Sequence, residues 1–434
     1  MARLAIDDHD PDRFTIICCN DSFQAALDHN TIKILLRVCK RARPLLSSKV
    51  PRFHSWCQKA ELCRPDGQMR IGLTPSDQIV ISLHCDDLAA SDRSWLIELA
   101  DQGNASASYL LARILQAELF SQPSPYKSRR RAKRYQSVQY LKKAAGAEHL
   151  VAQFHLAELH RSGNMVRQNH SKAFDLYRSL AENGLARAQV VLGRCYESGE
   201  GIDQDYDTAI LWYSKAADQG NVDGRLHSAF LRGWFSLIGH DVEQSDVNAL
   251  NHWQEVSTLS TDPVLKPIAT HMVGWMHYLG RGTVRDEQKG IKTIRDSKSP
   301  EFPLGEDECL AVSRSHCSDS PVARKLFNLC QLGSERDWLC RHLMAVCLFQ
   351  GFGVAVEEQA AADIFEQLAN DGHSDSQLWF SECFRYQGNV LQNARKAFKW
   401  FGKSAEQGNS YGQWMLGYCH RWGDGVPEDH PQSC

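Results

Sequence analysis

No run of apolar residues in this 434-residue chain reaches the ~18 needed to cross a bilayer. The opening stretch, MARLAIDDHDPDRF, places four aspartates where a secretory signal would carry its apolar segment. These two absences predict a chain that works inside the cell, in the cytoplasm or the nucleus. H-E-x-x-H, G-x-S-x-G, C-x-x-C and G-x-x-x-x-G-K-[ST] are all missing, and Ser, His and Asp form no visible constellation. The expectation is no catalytic residue, no cofactor and no bound metal, with residues 1–95 the one place left for a hidden activity. His54, Cys57, Cys63 and Cys85 offer four ligand types for zinc, but zinc knuckles use two close pairs and only His54 and Cys57 are close. They read as unrelated residues of a small domain.

The composition is globular: 43% hydrophobic, 23% charged, net charge −3. The length implies more than one domain or one elongated array. Charge is uneven along the chain. Residues 1–147 hold 22 Lys/Arg against 15 Asp/Glu, and the remainder 27 against 37, so a net +7 is followed by a net −10. That asymmetry suggests two surfaces with different partners. The 15 cysteines read as reduced, small apolar core residues.

Glycine supplies the organising signal. Gly184 and Gly220 are 36 residues apart, as are Gly372 and Gly408. From Gly184 the order is Ala188, Leu192, Gly193, Tyr196, Gly199 and Gly201, then Asp205, Ala209, Trp212, Tyr213, Ala216 and Ala217. The glycine pair recurs as Gly280/Gly282, Gly351/Gly353 and Gly423/Gly425. A phosphate loop would not repeat in this way, so each pair reads as the end of a helix. Ala188, Leu192 and Tyr196 share one helix face, and Gly193 lets a second helix approach closely. Asn169, Asp205, Asp286, Glu357, Asn393 and Asp429 hold the slot where the second helix starts; Asp and Asn cap well there, Glu poorly. Each unit is thus an antiparallel helix pair, and a single pair cannot bury its apolar face, so pairs must stack. Cys195, Cys347, Cys383 and Cys419 share one slot and read as a packing column.

This pattern resembles the Sel-1-like repeat family, relatives of the tetratricopeptide repeats, over about residues 100–434. The resemblance implies an all-α α-solenoid of about eight stacked helix pairs of period 36 (residues 96–434), with degenerate repeats at 220–264 and 300–335. Residues 1–95 form a small cap of mixed structure: RFTIICC and QIVISLHC read as strands, TIKILLRVCKRARPLL and DRSWLIELADQG as helices. The family's cysteine-rich branch staples successive helices, and only Cys330 and Cys340 resemble that arrangement here.

The implied function is a non-catalytic protein-interaction scaffold that holds a peptide or protein on its first helices. By analogy with tetratricopeptides, the available slots lie at offsets 3, 6, 10 and 13 of each block. They are Arg187, Val190, Arg194 and Glu197; Ile268, His271, Trp275 and Tyr278; Leu339, His342, Val346 and Phe349; Arg385; and Tyr411, Trp414, Tyr418 and Arg421. Aromatics and arginine are the residue types of interface hot spots. The competing reading is lateral packing between neighbouring first helices. Ahead of the helix marked by Tyr140 and Leu141 runs the basic segment Lys127, Arg129, Arg130, Arg131, Lys133 and Arg134. It reads as a solvated loop or, alternatively, as a patch for nuclear import or nucleic acid.

Overall fold

The computed structural model describes residues 42–64, 68–82, 93–121, 127–311, 313, 317–385 and 393–426. They divide into two compact units, up to Gln219 and from Gly220 onward.

The first unit opens with α1 (Ala42–Lys59), α2 (Pro75–Ser82) and α3 (Ser94–Asp101), followed by the pairs α4/α5 (Ala105–Ser121, Lys127–Gly146), α6/α7 (Leu150–Ser162, His170–Glu182) and α8/α9 (Ala186–Ser198, Tyr206–Asp218). QIVIS is not a strand: Pro75 to Ser82 is helical, because Asp77 accepts from Thr74 N and Oγ1 and closes a helix-starting turn; the LHC that follows lies outside the described residues. RFTIICC lies outside the described residues. Phe53, Trp56 and Cys57 of α1 join Leu96, Leu110, Leu141 and Leu156 in one core, so the leading helices share the repeats' interior. Asp77 fastens that join. Its Oδ1 accepts from Ser106 Oγ and His149 Nε2, each at 2.7 Å, linking α2 to α4 and to the start of α6. Burial pushes its carboxyl up, but the bonds from His149, Ser106 and Thr74 outweigh burial and hold it below the usual range.

The second unit contains α10/α11 (Val222–Ile238, Asp246–Leu259), α12/α13 (Leu265–Leu279, Glu287–Asp296), the short α14 (Glu306–Cys309), α15 (Pro321–Gly333), then α16/α17 (Trp338–Gln350, Glu358–Asn370), α18/α19 (Ser374–Arg385, Ala394–Glu406) and α20 (Ser410–Trp422). The degenerate block at 220–264 is still a helix pair. A Cβ on Gly233 would meet Trp253 Nε1 at 2.4 Å, as one on Gly193 would meet Tyr213 at 2.6 Å. In these two pairs a ring against a bare glycine seats the second helix on its first. The start slot behaves as its chemistry requires. Asn169, Asp205, Asp286 and Asn393 each accept a backbone N–H of the first turn, and Glu357 makes no such bond. Cys195, Cys347, Cys383 and Cys419 are buried free thiols, and Cys330 and Cys340 are free as well.

The two glycines of each pair do different work. Gly199 ends α8 in the left-handed conformation. Gly201 adopts φ +84° and also lies against the start of α7, where a Cβ would fall 2.5 Å from His170 O. The same approach joins Gly353 to Ala323 O at 2.3 Å and Gly425 to Ala394 O at 2.2 Å. Gly201→Ala therefore combines left-handed strain of about 1–2 kcal/mol with overpacking of roughly 1–3 kcal/mol. Gly184→Ala meets the strain alone, since nothing lies within 4 Å of its Cβ. Urea denaturation should find Gly201→Ala the more damaging of the two; equal losses would contradict the close-approach account.

Candidate interaction surface

The first helices carry the slots expected to meet a partner, and the two units treat them differently. In the second unit His271, Trp275 and His342 are completely buried, as are Ile268, Leu339 and Val346; Tyr278 and Phe349 are nearly so. These residues form an interior. Trp275 Nε1 donates to His271 Nε2 at 3.1 Å, and its ring meets His342 edge-on at 5.7 Å. His271 Nδ1 then donates to Ser297 Oγ at 3.2 Å, which fixes its tautomer. Burial alone pushes that imidazole down to about 3, so it is neutral. Tyr278 donates to Asp375 Oδ1 at 3.1 Å across 97 positions, and Asn409 Nδ2 reaches the same oxygen at 2.9 Å. Of the two readings of these slots, an exposed face or lateral packing between first helices, the buried residues here follow the second: these first helices close on one another.

A segment of the chain itself completes the closure. Where a first helix should precede α15, residues 297–311 run as an irregular strap. Pro300, Pro303 and Gly305 prevent a long helix from forming. Phe302 and Leu304 are completely buried, and the Phe302 ring packs edge-on against His271 and Phe352. Trp379 Nε1 donates to Cys309 O at 2.9 Å, Gln350 Nε2 to Glu308 O at 3.0 Å, and Tyr411 OH to Glu306 Oε1 at 2.6 Å. The strap thus lies over four blocks' first helices. Beyond it, Arg281 grips Asp246 and Asp337, each through two nitrogens at 2.7–3.1 Å, and spans the gap left by the missing helix.

In the first unit two of the four slots stay accessible. Arg187 and Arg194 are exposed, while Val190 and Glu197 are buried, Glu197 accepting from Tyr213 OH at 2.6 Å. Across three successive first helices, Arg187 reaches Phe154 and Arg113 reaches His155 on the helix between them. The Arg187 guanidinium lies 4.6 Å from the Phe154 ring centre, and Arg113 Nη1 is 3.5 Å from His155 Nε2. Burial and then Arg113 push His155 down to about 4, so it adds no charge. Among the described residues neither Arg113 nor Arg187 has an ion-pair partner. Sequence spacing alone misses Arg113, which falls at offset 10 from Gly103, because its block carries an insertion. On α20, Trp414, Tyr418 and Arg421 are exposed, Tyr411 is half-buried on Glu306, and Arg385 sits over the Tyr418 ring at 5.1 Å with Glu382 as its ion partner.

The basic segment is not a loop. Lys127 to Arg134 are the first two turns of α5. Lys127, Arg130, Arg131 and Arg134 are exposed and share one side by their spacing, whereas Lys133 is tied to Glu118 at 2.7 Å. Arg129 is exposed away from that side. His54, Cys57 and Cys63 do not gather their ligand atoms within 4.8 Å, and Cys85 lies outside the described residues.

Helix pairs of this construction define a helical-repeat protein. The Sel1 repeat model matches residues 150–185, 186–221, 267–292, 339–373, 375–409 and 410–433, so the chain is a Sel1-repeat protein. It is similar to protein sel-1 homolog 2 of Mus musculus, 32% identical over 124 residues, covering 29% of this chain and 17% of the relative. It is also similar to chitin synthase regulatory factor 3 of Schizosaccharomyces pombe, 27% identical over 191 residues, covering 41% of this chain and 20% of the relative. The matches thus span about a fifth of the curated relatives' length. Among solved structures it resembles a Sel1 repeat protein of Oxalobacter formigenes (21% identity, 79% and 83% of the two chains, TM-score 0.33). It also resembles a protective antigen of uropathogenic Escherichia coli with an SLR fold (22%, 88% and 77%, TM-score 0.40). Among the described residues no helix is long and apolar enough to cross a membrane.

Asp375 gives the closed interior a pH signature. Burial raises its carboxyl to about 6, against the lowering by Tyr278 and Asn409. A raised acid favours the folded state when protonated, so its stabilising contribution is full below about pH 4 and is lost as pH rises through about 6. Relative to Asp375→Asn, wild-type stability should fall by on the order of 3 kcal/mol between those limits. Urea denaturation of both proteins from pH 4 to 7 measures it; a constant difference would refute the assignment.

Proposed function

We propose that the chain is a non-catalytic, intracellular scaffold that binds an acidic segment of a partner protein on the first-helix face of its first unit. The observation that carries this reading is that Arg187 lies on Phe154 and Arg113 beside the neutral His155, neighbours on one first helix, with no carboxylate paired to either arginine among the described residues. One guanidinium over the Phe154 ring and a second beside His155 suit carboxylate side chains on an extended segment: the arginines pair bidentately and the ring packs against the stem. Arg194, one turn beyond Val190 on the same helix, extends the positive edge. The strap and closed interior leave no such face among the His271, Trp275 and His342 slots.

A fluorescein-labelled Glu-rich peptide tests the reading by anisotropy, with a Gln-rich counterpart as control. Arg113→Ala/Arg187→Ala should weaken Glu-peptide binding about tenfold or more, about 1.4 kcal/mol, and binding should fall with salt. Equal affinity for the two peptides, or no loss in the double variant, would count against it.

A second reading rests on the exposed stripe of Lys127, Arg130, Arg131 and Arg134 along α5. No core residue needs those cations, and cations at a helix N-terminus oppose its dipole. The stripe suits nuclear import or nucleic-acid phosphate. Binding to duplex DNA should then weaken steeply as salt rises; absence of binding at low salt removes this reading.

A further inference from the structure

We propose that α20 is a self-association surface and that its occupant is α20 of a second copy of this chain, packed antiparallel about a two-fold axis at Tyr418. Trp414, Tyr418 and Trp422 lie one helical turn apart and are 62%, 36% and 63% exposed. Their rings follow one another at 6.2 and 6.4 Å. A stripe of three large aromatics is an unusual thing to leave to water.

Two features of the molecule identify the occupant. The first is the stacking interface inside the chain. In an earlier block, offsets 6 and 13 of the first helix receive the next first helix: His342 bonds Ser376 at 2.9 Å, and Phe349 meets Trp379 at 5.4 Å. The same offsets on α20 are Trp414 and Arg421. This side of α20 is therefore built to accept a first helix, and α20 of a second copy is one. The second feature is the symmetry of the stripe. Trp414 and Trp422 stand four residues to either side of Tyr418. An antiparallel pairing centred there places Trp414 of one copy against Trp422 of the other, twice, as an isologous contact requires.

Charge agrees with this register. Arg421 falls opposite the Met415 position and not opposite another Arg421. Arg385, stacked on Tyr418, already carries Glu382 at 2.9 Å, so the axis receives ion pairs and not bare cations. No acidic residue lies in α20 to oppose the contact. One helix per copy is a small interface, so the dimer is weak, in the micromolar range. Self-association stands apart from the acidic-segment reading: one is read from oligomeric state, the other from peptide affinity, and either can fail alone.

Sedimentation velocity of the full chain from ~1 to ~100 µM should show a concentration-dependent monomer–dimer equilibrium. Trp414→Ala/Trp422→Ala should be monomeric over that range with an unchanged helical circular dichroism spectrum. With benzoylphenylalanine in place of Trp414, irradiation of mixed light and isotope-labelled protein should yield an intermolecular crosslink within residues 418–425. A wild-type chain that stays monomeric overturns the proposal, as does a dimer that survives the double alanine variant. A crosslink that maps away from α20 also overturns it, pointing to another occupant of the stripe.

Discussion

The approach of one glycine to the first turn of the preceding second helix is the contact on which the repeats depend. At Gly201, Gly353 and Gly425 no side-chain carbon fits, and at each the backbone takes a positive φ that other residues resist. That double demand explains why the G-x-G pair recurs with such regularity. The first glycine ends a helix and turns the chain. The second brings the turn onto the neighbouring pair, so local chain reversal and inter-pair registry are set within three residues. Ring-on-glycine packing at Gly193 and Gly233 then holds the two helices of a pair together.

Given that scaffold, the fate of the first-helix face is decided by what lies over it. In the second unit the strap of residues 297–311 supplies Phe302, Leu304 and Cys309 to an interior already crowded with Trp275, His342 and Trp379. The buried polar groups there find each other: His271 with Ser297, Trp379 with a backbone carbonyl, Tyr278 with Asp375. In the first unit no corresponding segment among the described residues covers Arg187, and its guanidinium lies on Phe154 with its side chain exposed. One repeat grammar thus yields a sealed face in one unit and an accessible one in the other.

Much of this was legible from spacing. Asn169, Asp205, Asp286 and Asn393 cap their helices as side-chain chemistry requires, and Glu357 fails to cap for the same reason. The buried cysteine column was legible as well. What spacing cannot convey is the contact between distant blocks. His271 and Trp275 look like partner-facing residues because their offsets are right; they are buried because a segment many positions away folds over them. Pro300, Pro303 and Gly305 were the visible warning that a first helix was missing, but not of where the chain would go instead. The basic run at Lys127 was misread as a loop because its block carries an insertion, and that insertion lengthens α4 and α5. QIVIS was misjudged on β-branched content, a weak preference that the Thr74–Asp77 turn overrides.

The hydrogen bond from Tyr278 to Asp375 has a consequence for how the second unit comes apart. An ordinary repeat array touches only its nearest neighbours, so it can melt one repeat at a time from either end. Here Tyr278 reaches 97 positions to Asp375, and Asn409 Nδ2 lies 3.5 Å from its hydroxyl across 131. These contacts join the ends of the stack to its middle. Loss of α20 is therefore expected to remove support from α12, with the unit unfolding as one cooperative body. It is also expected to fold more slowly than a string of independent repeats, because distant segments must meet before the interior gains its stabilisation.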